Sequence, residues 1–345
     1  MIKYIVPFIV SFLLSIIFIA STLHLAKKIN WQDRISERHI HKKGTVLRTG
    51  GLALILAFNL AIILDKNLYI SPELYGFMTA SILLLIVGIW DDFREIEWKI
   101  QLFFQVAIAV FSFIMGIRIY YFANPLNNEI ISLNSGIGIL ISAFFIITWI
   151  VLMINSMNWL DGIDGLSGGI TLIGSLTIFI LSLKPEVNQP PVAIISIILA
   201  GSILGFLIFN FNPSKILAGT SGSMFMGFSL SILAIFAGTK IATAILVMAL
   251  PIIDFLWVIG ERIRNNKSIF HPDRNHIHHK LLELGWSQRK ITLLFYGITI
   301  AISIIALNTR VVGKSLTLIA TALIMAIFLL LIDRKIKKLS YSRVK

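Results

Sequence analysis

The stretch Asn155-Ser-Met-Asn158-Trp-Leu-Asp161-Gly-Ile-Asp164-Gly-Leu-Ser-Gly-Gly169 is a polar island between an apolar run at 136–154 and another that begins at 166. Carboxylates and amides are costly near a bilayer and mark function by default. Asn155, Asn158, Asp161 and Asp164 recur every three residues, which predicts one shared face if a helix continues through them. A lone Asp here would read equally as a helix cap followed by glycine turns. Two Asp, two Asn and four Gly within fifteen residues favour a site, with glycines that let backbone approach a phosphate or sugar.

Outward from that island, 57% of the 345 residues are hydrophobic and 14% charged, with a mean hydropathy of +0.88. This composition predicts an all-α, polytopic membrane protein. Apolar runs place spans at 4–26, 49–64, 73–90, 99–121, 136–154, 166–183, 191–209, 222–238, 240–259, 291–308 and 313–332. These make eleven transmembrane helices, with ten as the alternative because several runs are short for a crossing. No intervening stretch is long enough for a core of its own, so 1–345 reads as a single transmembrane domain. The run 4–26 exceeds a signal-peptide core and lacks a small-residue cleavage site, so it reads as a retained first span. Cysteine is absent, which excludes disulfides and thiolate ligands.

The formal charge of +13 would suit nucleic acid, but the basic residues follow topology. Of the 30 Lys and Arg, only Lys3, Lys66, Arg118, Lys184, Lys240, Arg310 and Lys314 fall on one side. The other 23 share the side that holds the loops 26–48, 91–98, 155–165, 210–221 and 260–290 and the C-terminal tail. The positive-inside rule makes that side cytoplasmic, with the N-terminus outside and the C-terminus inside. No nucleic-acid partner is expected, and the basic tail 334–345 reads as an anchor to anionic membrane lipid. Every polar-rich, glycine-rich or histidine-rich segment lies in these loops, which predicts one cytoplasmic site built from them.

Four further constellations accompany the island. Asp91-Asp92 follows the apolar run 82–90. Adjacent carboxylates repel and call for a cation, and Mg²⁺ suits a few carboxylates plus phosphate oxygens. The other reading is a helix N-cap, with Arg94 neutralising one charge. Gly219-Thr220-Ser221-Gly222-Ser223, preceded by Lys215, opens an expected helix whose free N–H groups suit an anion. It lacks a Walker ending, and small-residue helix packing is its alternative. The segment His271-Pro-Asp-Arg274-Asn-His276-Ile-His278-His279-Lys280 fits phosphate binding by Arg274, Lys280 and the imidazoles. Zinc held by His276 and His279 is its alternative. The last is a basic loop containing Asp33, Arg38 and His41, followed by Arg48-Thr-Gly50-Gly51. Together they point to metal-assisted chemistry on a phosphorylated substrate at the membrane face.

These motifs resemble, in order, those of the polyprenyl-phosphate N-acetylhexosamine-1-phosphate transferases (glycosyltransferase family 4). The likeness runs from about 33 to about 282: Asp33, Arg38 and His41, then Arg48-Thr-Gly-Gly, Asp91-Asp92, Asn-x₂-Asn-x₂-Asp-Gly-x-Asp-Gly-Leu at 155–166, and Pro-Asp-Arg-x-His-x-His-His at 272–279. The last form resembles the branch that uses UDP-N-acetylglucosamine (UDP-GlcNAc). The phospho-MurNAc-pentapeptide transferase branch, or another paralogue using a UDP-N-acetylhexosamine, is the alternative.

The resemblance implies a bacterial plasma-membrane enzyme with its active site in the cytoplasm. It would transfer GlcNAc 1-phosphate from UDP-GlcNAc to undecaprenyl phosphate, an early step in cell-envelope glycopolymer synthesis, with release of UMP. Mg²⁺, or alternatively Mn²⁺, would be its cofactor, and a homodimer is an alternative to a monomer. It implies catalytic or metal-binding roles for Asp91, Asp92, Asp161 and Asp164. Of these, Asp91 would act as base or orient the lipid phosphate, and Asp92 would hold metal. Substrate contacts would come from Arg38, His41, Arg48, Asn155, Asn158, Lys215, Ser221, Arg274, His276, His278 and His279. There is one departure: the family usually has a metal-binding Asp where this chain has Thr220. A neutral hydroxyl is the weaker ligand, which keeps open a weakly active or inactive homologue that only binds lipid phosphate or nucleotide. A transporter is a further alternative, but the polar motifs gather at one face and no repeat is visible.

Overall fold

The computed structural model describes residues 1–28, 46–123, 130–238, 241–268 and 275–344. In chain order the elements are α1 (Ile2–Lys28), α2 (Gly50–Leu64), α3 (Pro72–Arg94), α4 (Trp98–Ile114), β1 (Tyr121–Ala123), β2 (Ile130–Ser132), α5 (Ile137–Leu160), α6 (Leu166–Ser182), α7 (Pro190–Asn210), α8 (Gly219–Phe236), α9 (Ile241–Val247), α10 (Ala249–Arg264), α11 (Ile277–Glu283), α12 (Gln288–Asn308) and α13 (Val311–Val344). Seven helices are long and apolar enough to cross a membrane, or eight if the bent pair α9–α10 is one span. Three shorter apolar helices, α2, α4 and α6, complete the set. The protein is a helical, multi-pass membrane protein. Among the described residues, its strands are one short antiparallel hairpin, in which Tyr121 pairs with Ser132.

Backbone groups have no water to bond in hydrocarbon, so helices that satisfy their own bonds are the solution for such apolar runs. The innermost helices are α7 and α8. Phe58 of α2, Phe77 of α3 and Phe225 and Phe228 of α8 form a fully buried aromatic cluster, with ring centroids 5.3–5.6 Å apart. Glycines let helices approach: a Cβ at Gly201 of α7 would lie 2.4 Å from the Phe8 carbonyl oxygen of α1.

Three boundaries differ from those read in the sequence. The expected span 99–121 ends at Ile114, where Gly116 at φ +95° turns the chain towards the hairpin. The expected span 240–259 is broken, since α9 and α10 meet at 73°. Pro251 explains the break, because its ring cannot accommodate the Val247 carbonyl of a continuous helix. The helix α5 runs on to Leu160 and stops there, so Asp161 and Asp164 leave the helix that carries Asn155 and Asn158. The shared face expected for all four residues therefore does not form.

The ends of the bundle are chemically distinct. Lys280 of α11 bonds Asp333, far along α13, at 2.8 Å and Glu261 of α10 at 3.3 Å, which fixes the histidine helix to that end of α13. At the opposite end Lys184 bonds the Leu307 carbonyl, and Lys314 donates to Thr243 at 2.6 Å.

Candidate active site

The N-terminus of α8 is built into the bundle by backbone bonds. Leu217 N–H donates to the Leu47 carbonyl at 2.8 Å, and the N–H groups of Gly50 and Gly51 donate to the carbonyls of Leu217 and Ala218 at 3.0 and 2.9 Å. This explains the Arg48-Thr-Gly-Gly motif: a Cβ at Gly51 would lie 2.3 Å from the Gly222 nitrogen. Gly219 has φ +69°, and a Cβ there would lie 2.6 Å from Asp92 Oδ2.

Asp91 and Asp92 sit in the last turn of α3, not at a helix N-cap, and both meet this N-terminus. Asp92 Oδ1 accepts from Thr220 N–H at 2.8 Å, and Ser221 Oγ lies 3.5 Å from Asp92 Oδ2. Asp91 is buried: its Oδ2 accepts from the Thr220 hydroxyl at 2.6 Å and its Oδ1 from Ile96 N–H at 3.0 Å. Asp92 stays half-buried, and the charges of Arg48 and Asp91 act on it.

The island's turn is anchored on the other side. Asp164 is buried, with Oδ2 accepting from Asn212 Nδ2 at 2.8 Å and Ser214 N–H at 3.1 Å, and Oδ1 from the Ser214 hydroxyl at 3.0 Å. Its own N–H donates to Gln288 at 3.1 Å, and the next N–H, of Gly165, donates to Asn210 at 3.0 Å. Gly165 takes φ +76° at the N-cap of α6, a conformation that suits glycine. Asp161 is different. It is half-buried, and among the described residues its carboxylate accepts one hydrogen bond, from the Ser167 hydroxyl. Partial burial pushes its carboxyl up to about 7; the Ser167 bond opposes that rise, and the charges of Asp92 and Asp164 add to it. Asp92 and Asp161 are thus electrostatic neighbours contributed by separate motifs.

The two amides diverge. Asn158 accepts from Ser223 of α8 at 2.7 Å and so reaches the site wall. Asn155 Nδ2 donates to Gln105 of α4 at 2.6 Å and to the Val151 carbonyl at 2.8 Å, so it faces a helix contact instead.

The histidines close the same region. A Cβ at Gly162, beside Asp161, would lie 2.2 Å from His278 Nε2, so the imidazole rests on the island's backbone. His278 is fully buried, and neither ring nitrogen has a hydrogen-bond partner among the described residues. Burial, then the neighbouring His279 and His276, hold it well below the ordinary histidine range, so it is neutral. The rings of His276 and His278 stack at 5.7 Å, and those of His278 and His279 tilt together at 4.2 Å. Lys215 is exposed on the approach to α8. Arg38, His41 and Arg274 lie outside the described residues. Sequence reasoning missed Asp254, which holds His276, as well as Gln105 and Gln288. Asp254 carried a signal, as a carboxylate inside an apolar run. The two glutamines carried none.

Residues 74–238 match the family Glycosyl transferase family 4. A probable undecaprenyl-phosphate N-acetylglucosaminyl 1-phosphate transferase of Bacillus subtilis (strain 168) is 32% identical over 327 residues, which cover 92% of this chain and 89% of that protein. The chain belongs to glycosyl transferase family 4. A decaprenyl-phosphate N-acetylglucosaminephosphotransferase of Mycobacterium leprae is 32% identical over 75% of this chain and 72% of its own length. A phospho-N-acetylmuramoyl-pentapeptide-transferase of Bacillus pumilus is 28% identical over 89% and 96%. The family 4 segment holds Asp91, Asp92, Asp161, Asp164 and the α8 N-terminus, while α11 lies beyond it.

The donor set can be tested against the divalent cation expected of a family 4 site. Among the described residues, no three His, Cys, Asp or Glu side chains are placed to hold a metal by themselves. That leaves neither zinc nor an all-protein cage supported there. Two half-buried carboxylates, Asp92 and Asp161, remain within electrostatic reach of each other. Such a pair fits Mg²⁺, which keeps several waters and takes the rest of its ligands from substrate phosphate.

Proposed function

We propose that this protein transfers N-acetylglucosamine 1-phosphate from UDP-GlcNAc to undecaprenyl phosphate at the cytoplasmic face of a bacterial plasma membrane. One observation carries the reading. The end of the bundle that holds α11 gathers Asp92, Asp161, the α8 N-terminus and His276 to His279, and no other described surface has such a set. The names of the relatives agree with it. Positive-inside counting supports the cytoplasmic assignment, with the N-terminus outside and the C-terminus inside.

An interface site suits both substrates, since the lipid tail stays in the bilayer while its phosphate meets a nucleotide from the water. An oxygen of the lipid phosphate attacks the sugar-bearing phosphorus of UDP-GlcNAc in line. A new P–O bond forms, the bond to the UMP oxygen breaks, and UMP leaves. Bound Mg²⁺ would lower the cost of bringing the anions together, held by Asp92 and Asp161. Arg48 and Lys215 would receive phosphate charge, while Thr220 N–H and Ser221 at the α8 N-terminus are turned to Asp92. Asn158 and the histidines would position the nucleotide sugar. Arg38, His41 and Arg274 carry the charge for the same task.

The geometry favours a revised division between the paired acids. Asp91 is buried, with its oxygens accepting from the Thr220 hydroxyl and Ile96 N–H, whereas Asp92 is half-buried, so Asp91 serves as the post that holds α8 rather than as the base. Asp92, held by Thr220 N–H and Ser221 but half-buried, is the more accessible acid to meet metal or substrate. A lipid phosphate that is already dianionic needs no strong base.

The test is radiolabelled UDP-GlcNAc with undecaprenyl phosphate and Mg²⁺ or Mn²⁺, scored for lipid-linked product and UMP. Stoichiometric formation of both is expected. Product from UDP-MurNAc-pentapeptide and none from UDP-GlcNAc would move the protein to the paralogous branch. Binding of both substrates without turnover under any metal would make it an inactive homologue.

A further inference from the structure

We propose that Asp254 is a positioning residue for the transfer reaction: it holds His276 with a proton on Nδ1 and presents Nε2 to the substrate. The inference rests on the reading above that His276 meets the substrate. Asp254 lies within the apolar helix α10 and is 2% exposed. A carboxylate buried there is costly unless its oxygens are matched by donors. Both are matched by the start of α11: Oδ2 lies 2.7 Å from His276 Nδ1, and Oδ1 accepts from Ile277 N–H at 2.9 Å.

An ionised carboxylate only accepts, so the 2.7 Å contact requires the hydrogen on Nδ1. The ring is fixed on its other sides as well. Trp159, one residue past the site amide Asn158, meets it edge-on at 5.4 Å, and His278 stacks on it at 5.7 Å. The Asp254 contact takes up Nδ1, which leaves Nε2 as the ring nitrogen for a ligand. One carboxylate thereby sets which nitrogen the ring offers and anchors the backbone that carries the ring.

Asp254→Asn separates the two tasks. Ile277 N–H still needs an acceptor, so the amide oxygen turns to it and the amide N–H₂ faces His276 Nδ1. The cap survives, but the ring must now accept at Nδ1 and carry its proton on Nε2. The experiment combines ¹⁵N-histidine NMR of the full-length protein in nanodiscs with steady-state kinetics, using UDP-GlcNAc and undecaprenyl phosphate. The His276 signals are assigned by their loss in His276→Gln. The wild type is expected to show a protonated Nδ1, and Asp254→Asn the proton moved to Nε2.

For the nucleotide sugar, kcat/KM should fall by about 10- to 100-fold, the size of the loss when the partner that orients a metal-bound histidine is removed. KM for undecaprenyl phosphate should hold, and Asp254→Glu should recover part of the loss. In a His276→Gln background, the Asp254→Asn change should cost little more. If Asp254→Asn does not fold, Asp254→Glu carries the test: its His276 should keep the Nδ1 proton. An unprotonated Nδ1 in the wild type, or an unchanged ring in Asp254→Asn, overturns the hold on His276. Full activity in both Asp254→Asn and His276→Gln overturns the positioning role by removing the substrate contact, even if the proton moves.

Discussion

Asp91-Asp92 and Asp161/Asp164 read alike in sequence, as two pairs of acids after apolar runs, but in the structure each pair splits into a buried anchor and a half-buried, open member. Asp91 holds Thr220 and Ile96, and Asp164 holds Asn212 and Ser214. Both anchors are buried with both oxygens occupied. Asp92 and Asp161 are half-buried, and each senses charge from the opposite pair or its own partner. The anchor of each motif thus fixes the backbone that presents the open acid. Four unpaired carboxylates at a membrane interface are costly, and the hydrogen bonds that hold Asp91 and Asp164 lower that cost.

The division is broken most severely at an open acid. Asp92→Asn keeps the size of the side chain and the Thr220 N–H bond but removes the charge. Loss of one electrostatic group in a site of this kind typically costs about 10²- to 10³-fold in kcat. UMP release should fall by that factor while the thermal midpoint stays near wild type. A collapsed midpoint would make Asp92 a second anchor. The next largest effect is at the anchor Asp164. Asp164→Ala strands the three donors from Asn212 and Ser214, which should destabilise the protein by about 3 kcal/mol. Unfolding in detergent measures this, and unchanged stability would reject the anchoring role.

Much of this was legible before the fold was known, for a physical reason. Hydropathy is local, so α1, α2, α6 and α12 lie close to the runs that predict them, and the motifs fix which residue types meet. The break between α9 and α10 was legible in principle at Pro251. The anchors were not. Asp164 acts through Asn212 and Ser214, roughly fifty positions away along the chain, and spacing within the island says nothing of that turn. Asp254 and His276 are likewise partners only because α11 folds back on α10. The expectation of one face for Asn155, Asn158, Asp161 and Asp164 extended a helix through two glycines that end it.

A smaller effect tests the boundary between anchor and open acid at position 220. Thr220 donates to Asp91, so Thr220→Asp exchanges a hydrogen bond for a third negative charge. Without metal, like charges around Asp91 and Asp92 should lower the thermal midpoint. With Mg²⁺ the added carboxylate is a ligand, and half-saturating Mg²⁺ should fall by about tenfold, or about 1.4 kcal/mol. A midpoint that drops in EDTA and recovers in Mg²⁺ is the expected signature. The same loss in both conditions would place no cation beside Thr220.

The smallest expected effect concerns Asn155, which shares a motif with the open acid Asp161 but behaves like an anchor. Its amide is committed to Gln105, which is 1% exposed, and to the Val151 carbonyl, so no donor remains for a substrate. Asn155→Leu alone strands the Gln105 amide and should cost about 1–2 kcal/mol. Asn155→Leu with Gln105→Leu removes both polar partners together, and such paired replacement is close to neutral. The double variant should therefore recover stability and keep KM for both substrates within about twofold. A tenfold rise in KM for UDP-GlcNAc in the double variant, with stability restored, would return Asn155 to the site. It would also show that an amide already bonded between α4 and α5 exchanges its partner when substrate arrives.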